Sequence, residues 1–177
     1  MTGEKIMNLD VVLFNFINKF AGKWKFLDFL AIFFADYMEY VLVFFLVVAS
    51  YQTRHISLLV IPAFAGLAAR FFINEPIYFF YKRKRPCDQI PTILLIKKPS
   101  HPSFPSSHAS LFFALSFSLL LYSTPLAIFF LITSCLIGFF RIFCGVHWPS
   151  DVLAGVGVGF LTYLAMLTGV IFFQIFI

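Results

Sequence analysis

The chain has 177 residues, 61% of them hydrophobic and only 12% charged, and its mean hydropathy is +0.94. An average soluble domain carries about 25% charged residues, so the composition excludes a water-soluble enzyme and points to an integral membrane protein. The net charge of +5 suits interfacial anchoring or an anionic ligand at the membrane surface, and no nucleic-acid partner or obligatory protein partner is expected.

Leu9, Leu13, Phe16, Ile17 and Phe20 recur at helical spacing among polar residues. This stretch is too short and too polar to span, so residues 1–25 read as an N-terminal amphipathic interfacial segment. Met1 to Asp10 lacks a basic run leading into an apolar one, so no cleavable signal peptide is expected. The remainder, 26–177, reads as one membrane domain, all-α, in a bundle of about six helices at about 20 residues each.

Phe26 to Tyr51 is the first long apolar run, interrupted by Asp28, Asp36 and Glu39. Acids inside a span face protein or water rather than lipid, and a break is predicted near Asp36. Glu39 reads either as a structural partner or as reaching a site cation. After a turn with Arg54 and His55, Leu58 to Tyr81 is the next span. Arg70 and Asn74 are one turn apart in it, on a face that should be the bundle interior. Lys82 to Pro105 is a long polar loop opened by four cations and punctuated by prolines. Loops of this length without regular structure are commonly functional.

Ser106 to Tyr122 and Leu126 to Phe143 are further spans, joined by a tight turn, and Ser150 to Ile177 is the last. Gly155 and Gly159 give it a small-residue face for close helix packing, inside the bundle or, as the alternative, in a dimer. Cys87, Cys135 and Cys144 form neither a disulfide framework nor a metal pattern. If each run spans once, the loops at 82–105 and 144–149 open on the same side.

Chemistry concentrates in three polar stretches. Pro105 suits a first helical position, which puts Ser106 and Ser107 in a first turn whose free N–H groups attract an anion. His108 follows directly. Asp151 lies four residues after His147, within reach of its ring, where a carboxylate fixes the tautomer. Arg141 lies six residues before His147 at the end of a span, and arginine is well shaped for phosphate oxygens. Two histidines, an acid, several cations and an anion-binding helix start suggest phosphoryl transfer: one histidine attacks phosphorus and the other protonates the leaving oxygen. A metal centre is the competing reading, and the neighbouring Arg and Lys argue against it. No cofactor is expected.

Pro105-Ser106-Ser107-His108 and Arg141-x5-His147-x3-Asp151, with Arg85-Pro86 before them, resemble the signature motifs of the type 2 phosphatidic acid phosphatase (PAP2) superfamily. The resemblance covers about Phe26 to the C-terminus. It implies a six-helix bundle and a metal-independent reaction through a phosphohistidine. His147 would be the nucleophile, Asp151 its orienting partner, and His108 the general acid and later base. Arg85, Arg141, Ser106 and Ser107 would hold the phosphate. Tyr78 stands where the first motif usually begins with lysine, and Lys82, one turn on, is the candidate replacement. The short chain is similar to bacterial members acting on undecaprenyl diphosphate or phosphatidylglycerophosphate. That implies a lipid phosphate or diphosphate substrate, a multi-pass protein of the plasma membrane, and an extracytoplasmic active site. A lipid phosphotransferase and a non-enzymatic anionic-lipid transporter are the alternatives.

Overall fold

The chain folds, in a computed structural model that describes residues 2–176, entirely into helices and loops among those residues. Besides a single 3-10 turn at Pro86–Asp88, the described residues form six helical runs: α1 (Thr2–Asn18), α2 (Lys25–Thr53), α3 (Ser57–Phe80), α4 (Ser107–Leu121), α5 (Thr124–Phe143) and α6 (Pro149–Phe176). Four of them, α2, α3, α5 and α6, are long and apolar enough to cross a membrane.

The central element is α4. Its Phe112, Phe113, Ala114, Leu115 and Leu119 are all buried, against α3, α5 and α6. Spanning 107–121, it is about 22 Å long at 1.5 Å per residue, short of the roughly 30 Å hydrocarbon core. The surrounding helices shield it. Close approach to α6 depends on the two glycines: a Cβ at Gly155 would lie 2.6 Å from the Ala109 Cβ, and one at Gly159 would lie 2.7 Å from Phe113 Cβ. The small-residue face thus packs within the bundle.

The break expected near Asp36 takes a different form. Residues Lys25 to Thr53 stay helical, with a π-helical turn at Phe33–Tyr37. A second π turn, Ala69–Asn74, interrupts α3 ahead of Pro76. Such turns change which residues share a face and concentrate at functional sites. They explain why Asn74 is fully buried while Arg70, four residues earlier, sits at a rim with its side chain 20% exposed.

The α1 helix presents Leu9, Leu13 and Phe16 outward. Its other face, Asp10, Phe14 and Asn18, is buried. Phe14 packs on Trp148, with ring centroids 5.3 Å apart. The Asn18 amide donates to the Ile93 and Phe143 carbonyls at 2.8 Å each and accepts from the Ile93 N–H at 3.0 Å. Leu95 and Ile96 of the long loop turn into the protein against Ala21, Ala35 and Phe143. The loop over 81–106 and the short one over 144–148 therefore meet at one end of the bundle, together with α1.

Candidate active site

His147 lies in the short loop that enters α6 and is completely buried, as is Asp151 in the first turn of that helix. The i,i+4 spacing brings an Asp151 carboxylate oxygen within 3.5 Å of His147 Nδ1. The same oxygen, Oδ2, accepts from the Trp148 N–H at 2.8 Å and from the Ser103 hydroxyl. The other, Oδ1, accepts from Arg83 Nη1 at 2.6 Å. Arg83 in turn donates from Nη2 to Asp10 at 2.6 Å, and Asp10 accepts from the N–H of Ser150 at 2.9 Å. A partly buried Asp10–Arg83–Asp151 chain thus runs from α1 to the carboxylate beside His147.

On its far side the His147 ring meets Arg85, with Nη1 at 3.2 Å from Nε2. Among the described residues Arg85 is the largest fully buried side chain. It also donates to the Val146 carbonyl at 2.6 Å and to the His101 and Pro102 carbonyls at 3.1 and 3.2 Å. Burial first, and then the charges of Arg85 and Arg141, hold the His147 imidazole well below the ordinary 6.5. It is a neutral base at physiological pH.

The second histidine forms a matching half-site. His108 Nε2 lies 3.3 Å from a Glu39 carboxylate oxygen and 3.3 Å from Arg141 Nη1. Arg141 is buried and also donates to the Ala35 carbonyl at 3.0 Å and to Asp36 at 3.2 Å. The π turn in α2 delivers Ala35 and Asp36 to that guanidinium. So Glu39 reaches a site residue, and it is a histidine.

Ser106 is the N-cap of α4; its hydroxyl accepts from the Ala109 N–H. The helix therefore starts at Ser107 and not at Pro105. The Ser106 N–H donates to the Asp151 carbonyl at 2.9 Å. The N–H groups of Ser107 and His108 are those that helix geometry leaves without an intrahelical acceptor. Tyr78 is buried; its hydroxyl donates to the Pro105 carbonyl at 2.7 Å and its ring stacks on His101 at 5.1 Å. Lys82 is exposed and lines a cavity of about 390 Å³ with Tyr78, Arg85, Lys98 and His101. The structure thus gathers His108, His147, Asp151, Arg85, Arg141, Ser106 and Ser107, and leaves Lys82 at the mouth.

The PAP2 superfamily matches residues 59–174. The chain belongs to the PAP2 superfamily. Among curated relatives, a bacitracin transport permease protein BcrC of Bacillus licheniformis is 31% identical over 88% of this chain and 78% of its own. An undecaprenyl-diphosphatase of Sulfolobus acidocaldarius is 32% identical over 86% of this chain and 74% of its own. Two solved PAP2-like folds superpose well. Aquifex aeolicus LpxE does so with a TM-score of 0.68 at 24% identity, over 90% of this chain and 95% of that one. A phosphatidylglycerolphosphate phosphatase of Bacillus subtilis does so with 0.64 at 18% identity, over 91% and 84%.

Asp10, Asp36 and Glu39 lie outside the residues matched to the PAP2 family; Asp36 and Glu39 touch the motif residues Arg141 and His108, and Asp10 reaches Asp151 through Arg83. Sequence reasoning missed Asp10 and Arg83. For Asp10 a signal existed: Asp10, Phe14 and Asn18 form an i, i+4, i+8 stripe opposite the apolar face. Replacing Asp10 by alanine leaves Arg83 with one carboxylate, Asp151, and draws it off His147. Turnover is expected to fall about 10-fold, in the range that positioning partners of catalytic groups show, with KM little changed and with recovery in Asp10→Glu. Steady-state phosphate release checks this; unaltered kcat in Asp10→Ala refutes the coupling.

Proposed function

We propose that this PAP2 protein is a metal-independent lipid phosphatase that removes the terminal phosphate of a lipid phosphate or diphosphate, of the undecaprenyl diphosphate or phosphatidylglycerophosphate type. The observation that carries the reading is the pairing of each histidine with a buried guanidinium, Arg85 on His147 and Arg141 on His108. Two cations crowded onto two imidazoles repel one another, and a phosphate between them relieves that repulsion. The reaction follows from the half-sites. His147 Nε2 attacks phosphorus, with Asp151 near Nδ1 stabilising the charge that develops on the ring. Arg85, Arg141 and the α4 N–H groups take the equatorial oxygens. His108, polarised by Glu39, gives its proton to the leaving oxygen and then accepts one from the water that cleaves the phosphohistidine. Lys82 assists at the mouth.

The names of the relatives favour a diphosphate such as undecaprenyl diphosphate, and the site opens on the extracytoplasmic face of the plasma membrane. The permease name of the Bacillus licheniformis relative favours a second reading, lipid binding without turnover. Purified protein in detergent should release inorganic phosphate from undecaprenyl diphosphate and be inhibited by vanadate. Right-side-out vesicles should release that phosphate to the outside medium. Binding without release refutes the phosphatase, and release only from inverted vesicles refutes the orientation.

A further inference from the structure

We propose that Arg70 is a specificity-determining residue that binds the lipid-side phosphate of a diphosphate substrate. This rests on the phosphatase reading above. In an in-line displacement the leaving oxygen lies opposite the nucleophile. With His147 attacking, the leaving group is on the His108 side. A cavity of about 240 Å³ lies there, lined by Glu39, Leu67, Arg70, Phe71, Ser107 and His108. Leu67 and Phe71 are 49% and 55% exposed, so its outer wall is apolar and faces the lipid surface. A chain attached to the leaving group can leave by that route.

The charge of the leaving group decides what the cavity must supply. In a diphosphate the departing species is a lipid monophosphate, an anion. Glu39 would repel it, but Glu39 is engaged with His108 at 3.3 Å. Arg70 is the cation of the lining. Its guanidinium sits 5.7 Å over the Tyr78 ring and is ion-paired with Glu75, so it is held in place. Tyr78 occupies the slot where the PAP2 motif carries a lysine. The π turn at Ala69–Asn74 brings a different cation over that tyrosine.

The step balances. The His147 Nε2–P bond forms as the bond from phosphorus to the bridging oxygen breaks; the electron pair stays on that oxygen, which takes the His108 proton and departs as the lipid monophosphate, still an anion. Arg70 neutralises this anion. Water then attacks phosphorus, loses a proton to His108, and releases inorganic phosphate and free His147. A lipid monophosphate as substrate has no second phosphate for Arg70 to bind, so the residue should separate the two classes.

The test uses detergent-purified full-length protein with farnesyl diphosphate and farnesyl monophosphate. In Arg70→Ala the ratio of kcat/KM for diphosphate over monophosphate should fall about 30-fold, as loss of a charge-assisted phosphate contact implies. Arg70→Lys should restore most of the ratio. Should Arg70→Ala not accumulate, Arg70→Gln gives the same reading. An unchanged ratio overturns the proposal, and so does an equal loss on both substrates. Wild-type protein that releases phosphate from neither substrate overturns the phosphatase reading itself.

Discussion

Replacing His147 by alanine should lower phosphate release by about 10,000-fold or more, the scale of losing a nucleophile. The ring is completely buried between the Asp151 carboxylate and the Arg85 guanidinium. Nothing else in the site offers a neutral nitrogen with an oriented lone pair at that position. Its titration sets a second expected result. Because burial holds the imidazole well below 6.5, the proposed nucleophile stays unprotonated into the acid range. The acid limb of kcat/KM should therefore fall below pH 6.5. The sign for stability is the same. The folded ring binds a proton less readily than the unfolded one, so acidification through the ordinary value favours unfolding, and the ring's contribution is lost as pH falls. Turnover in His147→Ala near the wild-type rate, or an acid limb above 6.5, contradicts the assignment.

Replacing Arg85 by alanine should be nearly as damaging, for two reasons that separate experimentally. The side chain joins two loops: it donates to Val146 in one and to His101 and Pro102 in the other. Truncation leaves these carbonyls without their donor, at a cost of about 1–3 kcal/mol for each that stays buried. The midpoint of thermal unfolding in detergent should drop accordingly. It also removes a cation from the phosphate, worth about 100- to 1,000-fold in turnover by analogy with oxyanion donors. Arg85→Lys keeps the charge but loses the fork that serves several acceptors at once. It should recover part of the stability and little of the turnover. Wild-type turnover in Arg85→Lys would show that the fork is dispensable.

Much of this site was legible in the chain because its parts are short-range. His147 and Asp151 are four residues apart on a helix start, so their contact is local geometry. Ser107 and His108 open α4, so their N–H groups follow from the helix boundary. The charged partners were not legible, because they come from remote segments. Within the run Lys82 to Arg85, the Arg-Pro pair marks Arg85 and nothing marks Arg83. Only the fold shows that Arg83 reaches Asp151 and Asp10, that Arg85 is buried on His147, and that Lys82 is left outside. Asp36 and Glu39 read as an interruption of an apolar run. The π turn makes them the partners of Arg141 and His108, and a local change of helical pitch leaves no mark in a hydrophobic pattern.

The shortness of α4 has a further consequence. A span exposed to lipid must match the thickness of its membrane, by tilting or by thinning the bilayer around it. The α4 helix is wrapped by its neighbours, so that constraint falls on α2, α3, α5 and α6. Of these α2, α3 and α5 can tilt to follow a thinner or thicker membrane, while the helix that carries Ser107 and His108 keeps its length and its place against Gly155 and Gly159 of α6. Hydrophobic mismatch is absorbed at the periphery of the bundle, and the spacing of the two histidines is insulated from it.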